Sequence, residues 1–341
     1  MSTLLRLATA GSVDDGKSTL VGRLLHDSKS VLVDQLDAVE RVSRDRGLDT
    51  ADLALLTDGL RAEREQGITI DVAYRYFATA ERSFVLADCP GHVQYTRNTV
   101  TGSSTADALV LLVDARKGVL EQTRRHLAVA ALMRVPHVVI AVNKIDLVAH
   151  SEEVFRTLAA DVRAIATELG IPDAHAVPVS ALVGDNVVDR SPNTPWYDGP
   201  SLLELLETLP ADTDPVHESF RMPVQVVIRP QGAARSPEHV EYRGYAGQLA
   251  SGSVRVGDEV VVHPSGLRST VAGIDLGEQS LDVAVAPQSV TIRLADDVDV
   301  SRGDLLAAAT DPVPLRQEVT ALACWLGDEP LRPGARLLVK H

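Results

Sequence analysis

The chain has 341 residues, of which 45% are apolar and only 4% aromatic, and its formal net charge is −14. This length predicts two or three domains with aliphatic cores, and an acidic chain without a long basic run disfavours a nucleic-acid surface. Two cysteines cannot build a disulfide framework, no signal peptide is visible, and no stretch approaches the roughly 18 apolar residues of a membrane span, so we expect a cytoplasmic globular protein.

Short apolar runs alternate with helical patterns over residues 1–209, which we expect to form one domain. The expected strands are Leu4–Ala10, Val72–Ala78, Ser83–Ala87, Ala108–Val113, His137–Val142 and Ala176–Val179. The expected helices are Lys17–His26, Val31–Arg46, Thr96–Ser104, Glu121–Met133, Glu152–Leu169 and Ser201–Leu209. This alternation predicts an α/β fold, a mostly parallel sheet with helices on both faces and a ligand site at the carboxyl ends of its strands.

The first motif lies between the first expected strand and the first expected helix. It reads Gly11, Ser12, Val13, Asp14, Asp15, Gly16, Lys17, Ser18 and Thr19. Gly11 and Gly16 allow successive N–H groups to point inward at an anion, and the following helix adds its positive end. Lys17 can neutralise the charge of β- and γ-phosphates, and the Ser18 hydroxyl can bind Mg²⁺. The motif is therefore typical of a phosphate-binding P-loop.

Two further segments carry side chains suited to the γ-phosphate side of such a site. Asp88 closes the third expected strand and can hold Mg²⁺ through water, and the Gly91 N–H can bind a γ-phosphate. His92 follows at a position suited to orienting water. Thr69, in the loop 64–70, can complete the Mg²⁺ shell only when a γ-phosphate is present, which predicts a switch.

The base is predicted to be read by two segments that follow later strands. Asn143, Lys144 and Asp146 come directly after the fifth expected strand. A carboxylate there can accept from both the ring N–H and the amino group of guanine, a pattern that adenine lacks. The backbone N–H groups of the segment Ser180, Ala181 and Leu182, after the last strand, could meet the guanine carbonyl.

The composition changes after residue 209, where the alternation of strands and helices ends. A polar, proline-bounded segment predicts a linker over 210–220, and short β-rich runs separated by turn residues predict an antiparallel barrel over 221–313. Two further strand-like runs, Thr320–Leu326 and Ala335–Val339, predict that 314–341 is the incomplete start of another β domain.

The order and spacing of these motifs resemble those of the translation-factor-like GTPases, over the whole of residues 1–209. The resemblance implies that GTP or GDP and Mg²⁺ are bound, with Ser18, Thr69 and Asp88 at the metal. It implies phosphate contacts from the P-loop and Gly91, and guanine contacts from Asn143, Lys144, Asp146, Ser180, Ala181 and Leu182. It further implies that Lys17, Thr69 and His92 take part in hydrolysis, with His92 positioning the attacking water.

A narrower resemblance rests on other stretches. Elongation factors carry histidine where this chain has Ser12 and Asp15, whereas Ala62–Phe77, Tyr95–Asn98 and Asp114–His126 resemble the GTPase subunit of bacterial two-subunit sulfate adenylyltransferase, or ATP sulfurylase. This resemblance implies that GTP hydrolysis drives the formation of adenylylsulfate from ATP and sulfate on a partner catalytic subunit, in sulfate assimilation. In some relatives an adenylylsulfate kinase is fused beyond the third domain.

Two alternative functions remain open from the sequence. An elongation-factor-like protein that binds RNA would need a basic surface on its barrel, yet residues 216–313 contain no lysine and more acidic residues than arginines. A non-hydrolysing switch would not need His92. We therefore expect no nucleic-acid partner and no membrane partner.

Overall fold

The computed structural model describes residues 3–29, 39, 41–44, 53–56, 71–210, 218–230, 241–277, 279–321, 323–325, 327 and 329–337. These residues form two compact units, 1–212 with 322–341, and 213–321. The predicted loop 64–70, including Thr69, lies outside the described residues. So does most of the predicted helix Val31–Arg46, although residue 39 and residues 41–44 are helical.

The first unit is built on a six-stranded sheet in the order β2-β3-β1-β4-β5-β6. The strands are β1 (Thr3–Ala10), β2 (Ala73–Ala78), β3 (Arg82–Asp88), β4 (Ala108–Asp114), β5 (His137–Asn143) and β6 (Asp173–Pro178). Only the β2–β3 pair is antiparallel. Every residue of β4 and β5 is buried, because helices cover both faces, and their sequences are accordingly almost uninterrupted apolar runs. The predicted mostly parallel sheet is confirmed.

Five helices have both ends within the described part of the first unit: α1 (Lys17–Asp27), α2 (Thr96–Ser103), α3 (Glu121–Leu132), α4 (Glu152–Glu168) and α5 (Leu202–Thr208). Alternate residues of β1 enter two different cores, as the period of two in a strand requires. Leu5 and Leu7 pack in one core with residues of α1 and α5, whereas Ala8 and Ala10 pack in the other with residues of α3 and α4. The sheet is therefore covered on both faces, as predicted.

The second unit is entirely antiparallel. Its strands are β7 (Arg221–Pro223), β8 (Val226–Ile228), β9 (Gly244–Gln248), β10 (Ser253–Arg255), β11 (Glu259–His263), β12 (Leu267–Leu276), β13 (Gln279–Leu281), β14 (Val283–Val285), β15 (Ser289–Leu294) and β16 (Leu305–Ala308). They run in the order β7-β16-β11-β12-β15-β9-β8, with β13 beside β12 and β10 beside β14, and form a half-barrel around one core. The predicted antiparallel β domain is confirmed in type, and its boundaries stay a prediction.

The C-terminal segment differs from expectation. Where the structure describes residues 314–337, no strand is present, so the strands predicted at Thr320–Leu326 and Ala335–Val339 are wrong for those residues. An apolar run forms a strand only when another strand supplies hydrogen-bond partners, and two strands alone are marginal in water. Within the described ranges, the chain also has no helix with the length and apolarity needed to cross a bilayer.

Candidate nucleotide-binding site

The candidate site lies where the parallel strands of the first unit end. β1 leads directly into the P-loop, and β3, β4 and β5 end at Asp88, Asp114 and Asn143. The P-loop needs backbone angles that favour glycine: φ is +152° at Gly11 and +91° at Gly16, the residue immediately before α1. Lys17, Ser18 and Thr19 then form the first turn of α1, so its positive end faces the same place as the loop.

Lys17 is fixed within this loop. Its Nζ donates to the carbonyl oxygens of Gly11 at 2.9 Å and Ser12 at 2.8 Å. An ammonium group has three donors, so one proton is left for a third acceptor. Burial lowers the pKa of Lys17, and the nearby charges of Asp15 and Asp88 oppose this lowering. The result is a positioned, poorly solvated cation of the kind that binds a phosphate oxygen.

The end of β3 is held tightly against the P-loop. The Thr9 hydroxyl donates to Asp88 Oδ1 at 2.9 Å and accepts from the Cys89 N–H at 3.3 Å. A Cβ on Gly91 would collide with Lys17 Nζ and lie 2.8 Å from the Gly11 carbonyl oxygen, so this close approach requires glycine. The structure thus brings Asp88 and Gly91 close to Lys17, and their contacts with Mg²⁺ and the γ-phosphate stay predictions.

His92 follows Gly91 directly and is half-buried. Its ring contacts the ring of Tyr95 edge to face, with centroids 6.2 Å apart. Thr69, predicted to lie on the same side of the site, is outside the described residues. Of these two residues predicted near the γ-phosphate, the structure therefore describes only His92.

Asn143 connects the P-loop to the segment 180–182. Its Nδ2 donates to the Asp15 carbonyl oxygen at 2.7 Å, and its Oδ1 accepts from the Ala181 N–H at 3.0 Å. The side chain is almost wholly buried, so each polar atom needs a partner within the protein. Asn143 therefore holds the segment 180–182 beside the P-loop and occupies one of its three backbone N–H groups, that of Ala181. A contact between this segment and guanine stays a prediction.

Lys144 makes a second connection, through a residue that the sequence analysis missed. Its Nζ donates to the Asp14 carbonyl oxygen and lies 3.0 Å from Asp114 Oδ2. Arg116 also binds Asp114, through Nε at 3.0 Å and Nη2 at 2.7 Å. Burial opposes ionisation of Asp114, but the bonds from Arg116 and Lys144 outweigh it and hold its pKa well below the ordinary range. A sequence signal was available, because Asp114 directly follows the expected strand Ala108–Val113. In the structure it pairs in register with Asn143.

Arg23 was also missed, since nothing local marks a helix arginine as part of a site. From α1 it reaches the segment 180–182, donating through Nε to the Ala181 carbonyl oxygen at 3.2 Å and through Nη2 to that of Leu182 at 2.5 Å. Ser180 is buried, and its hydroxyl accepts from the Val183 N–H at 3.3 Å. Asp146 lies in a short 3-10 helix, Ile145–Val148, whose first N–H binds the Val179 carbonyl oxygen.

The arrangement fits a nucleotide with a phosphate chain. Besides Lys17 and the start of α1, the Ser12 hydroxyl is buried and has no partner among the described residues, so it can donate to an anion. Ser18 and Asp88 offer the hard oxygen ligands that Mg²⁺ prefers, and this ion commonly binds one or two protein groups together with phosphate oxygens. Across the ranges that the structure describes, no cluster of three or more His, Cys, Asp or Glu could hold a metal by itself.

Comparison with known proteins supports this interpretation. The family described as "Elongation factor Tu GTP binding domain" matches residues 2–213. The "Bifunctional enzyme CysN/CysC" of Mycobacterium tuberculosis is 54% identical over all of this chain, which spans 55% of that protein's length. "Sulfate adenylyltransferase subunit 1" of Cellvibrio japonicus is 52% identical over 99% of this chain and 70% of that protein.

A solved structure supports the fold alone. The Saccharomyces cerevisiae Ski7 GTPase-like domain, bound to GDP and inorganic phosphate, superposes with a TM-score of 0.57 at 18% identity, covering 90% of this chain and 75% of that one. The family match, by contrast, covers more than half of the chain, and the subunit 1 relatives match almost all of it. The chain therefore belongs to the family of sulfate adenylyltransferase subunit 1, which carries the GTP-binding domain of elongation factor Tu.

Proposed function

We propose that this chain binds GTP with Mg²⁺, hydrolyses it to GDP, and thereby drives the sulfate adenylyltransferase reaction of a partner catalytic subunit. The observation that carries the proposal is 52% identity to a sulfate adenylyltransferase subunit 1 over 99% of the chain. The geometry supports it, because the segments that carry Gly91 and Asn143 both contact the P-loop that holds Lys17.

Within the proposed site, residues 11–19 and Gly91 surround the phosphates. Ser18, Asp88 and Thr69 would hold Mg²⁺, which neutralises phosphate charge when bound. Asp146 would accept from guanine, beside the segments that Asn143 and Lys144 attach to the P-loop. His92 would orient the attacking water, since hydrolysis depends on positioning and charge stabilisation more than on covalent help.

The coupling follows from the chemistry of the product. Adenylylsulfate contains a phosphate–sulfate anhydride, whose formation from ATP and sulfate is strongly uphill. An enzyme cannot move that equilibrium, so accumulation requires a second, downhill reaction that shares conformational states with the first. We propose that the loops around Thr69 and Asp88–Tyr95 change conformation on hydrolysis and alter the partner's affinities. An adenylylsulfate kinase, fused or associated, is a further partner that this proposal allows.

The test uses this chain together with its adenylyl-transferring partner subunit. We expect ATP and sulfate to accelerate GTP hydrolysis, because linkage between the two sites is reciprocal at the level of binding. We also expect GTP to raise the adenylylsulfate yield above the equilibrium reached without it, and a non-hydrolysable GTP analogue to fail in this. GTP hydrolysis that ignores both the partner and its substrates would contradict the proposal.

A further inference from the structure

We propose that Asp185, which lies outside all the predicted nucleotide motifs, is a positioning residue that locks together the two loops on the guanine side of the site. We name residues 143–150 the first base loop and residues 180–185 the second base loop. The inference rests on the proposed function, because it concerns how the same site selects its base. It assigns to Asp185 control over base preference, exerted through His150.

Asp185 joins the two loops with different parts of one residue. Its carbonyl oxygen accepts from the Ser180 N–H at 3.1 Å, which closes the second base loop. Its carboxylate Oδ2 pairs with His150 Nε2 at 2.9 Å, at the end of the first base loop. The other oxygen, Oδ1, accepts from Ser191 Oγ at 2.6 Å and Asn193 Nδ2 at 3.0 Å. The carboxylate is thus anchored on one side and binds His150 on the other.

The first base loop ends in a turn that needs such an anchor. Ala149 and His150 both have a φ of +53°, a left-handed conformation that is unfavourable for residues other than glycine. Strained backbone of this kind persists only where surrounding contacts hold it. The His150 N–H binds the Ile145 carbonyl oxygen at 2.9 Å, and Trp196 Nε1 donates to the His150 carbonyl oxygen at 2.9 Å. The Asp185 carboxylate holds the side chain of the same residue.

The strained turn begins close to the residue proposed to read guanine. The Ala149 N–H binds the Asp146 carbonyl oxygen at 3.3 Å, so a shift at Ala149 and His150 acts directly on the backbone of Asp146. The phosphate side is held separately, by Lys17 within the P-loop and by Gly91 against it. Loss of the Asp185 bond should therefore disturb reading of the base more than binding of the phosphates.

The charge of Asp185 suits this role. Burial opposes its ionisation, but hydrogen bonds from Ser191, His150 and Asn193 outweigh the burial and lower its pKa below the ordinary value. The carboxylate is therefore an acceptor at neutral pH, with Oδ2 within hydrogen-bond distance of His150 Nε2.

The chain supplies a matched control. Asp173 Oδ2 pairs with His137 Nδ1 at 2.7 Å, which is again a carboxylate paired with an imidazole. This pair lies where β5 and β6 begin, whereas the candidate site lies where the parallel strands end. Removal of Asp173 breaks its pairs with His137 and with His175, but none of these three residues belongs to either base loop. Asp173→Ala therefore separates a general loss of stability from a loss of base selection.

The experiment compares fluorescent GDP with fluorescent IDP, whose hypoxanthine base lacks the amino group of guanine. We expect the preference for GDP over IDP to fall about five-fold or more in Asp185→Ala and in His150→Ala, because Asp146 no longer meets that amino group. It should be unchanged in Asp173→Ala and preserved in His150→Gln, whose amide can still donate to Asp185. Thermal melting of each variant is measured in parallel.

The outcomes separate the two proposals. A wild-type chain that binds neither nucleotide overturns the proposed function. A wild-type chain that prefers GDP, with an unchanged preference in a folded Asp185→Ala, overturns the inference about Asp185. If Asp185→Ala does not fold, the preference of His150→Ala decides in the same way.

Discussion

Two lysines set the geometry of the candidate site, because an ammonium group carries three donors and no acceptor. Lys17 uses two donors on P-loop carbonyls, and Lys144 joins a P-loop carbonyl to the Asp114 carboxylate. The chain contains only five lysines, and two of them lie in this candidate site. At the scale of single residues, contacts with the P-loop carbonyl oxygens and with Asp114 therefore fix the positions of these two charged groups.

Asp146→Asn tests which base is bound. The variant can no longer accept from both the ring N–H and the amino group of guanine, so GTP affinity should fall about 30- to 1000-fold, corresponding to about 2–4 kcal/mol. Xanthosine triphosphate, which presents a carbonyl in place of the amino group, should become the preferred ligand. Competition binding with both nucleotides measures this, and an unchanged preference for GTP would rule out the role of Asp146.

His92→Ala tests hydrolysis. If the side chain positions water, single-turnover GTP hydrolysis should slow by a factor on the order of 10²–10⁴, with nearly unchanged GTP affinity. His175→Ala provides a control, because that ring pairs with Asp173 at the start of β6, at the opposite end of the strands from the candidate site. Normal turnover in His92→Ala, or a primary loss of GTP binding, would remove His92 from the proposed mechanism.

His126 gives the stability a pH dependence. It is almost fully buried on α3, and burial together with the nearby Lys17 charge lowers its pKa from 6.5 to about 4. Between these values the unfolded chain binds a proton that the folded chain does not, so the free energy of unfolding falls as the pH decreases.

His126→Gln should remove this contribution, which reaches up to about 3 kcal/mol across the interval. Urea unfolding of both proteins near neutral pH and near the lower pKa measures it. Equal losses of stability on acidification in the two proteins would show that His126 does not titrate in this way.

At the scale of elements, the ends of strands and helices are joined by single side chains. Arg82, the first residue of β3, donates through Nη1 to the carbonyl oxygens of Leu206 at 3.0 Å and Leu209 at 2.6 Å. These carbonyls lie at the end of α5, where helix oxygens lack partners within the helix and the dipole favours a cation. A buried arginine at the start of an inner strand therefore holds the end of α5.

Arg82→Ala should lower the free energy of unfolding by about 1–3 kcal/mol, because buried carbonyl oxygens lose a charged donor. Arg125→Ala is the control: Arg125 pairs with Glu121 on the exposed surface of α3, and such pairs contribute only about 0.3–0.5 kcal/mol. Urea unfolding compares the two variants. Similar small effects for both would mean that Arg82 does not stabilise the end of α5.

At the scale of the whole molecule, charge distinguishes the proposed function from an RNA-binding one. The net charge is −14, and residues 216–313 contain no lysine. Binding to nucleic acid depends on neutralising phosphates with basic side chains, so this chain should bind neither tRNA nor ribosomes at physiological salt. Filter binding and GTP hydrolysis with added ribosomes measure this. Stimulation by ribosomes would favour the elongation-factor-like alternative.

Much of the architecture follows from local pattern. The strands β1 to β5 and all five helices lie within one or two residues of their expected bounds, because apolar periodicity and helix caps act over a few residues. β6 begins at Asp173, earlier than expected at Ala176, since its polar first residues pair with the start of β5 at the edge of the sheet. The described residues of the two strands predicted in the tail are not in strands, and an apolar run by itself does not show whether a partner strand is present.

The sequence by itself determined the P-loop, the parallel sheet and the strand ends at which polar residues collect, because glycine conformation and residue periodicity are local properties. Only the tertiary structure decided which distant groups meet. Asn143 binds Ala181, Lys144 binds Asp114, and Arg23 binds Leu182, which is 159 residues away. Such pairs depend on the order of strands in the sheet and on burial, which leaves each polar atom only the partners that the fold brings near.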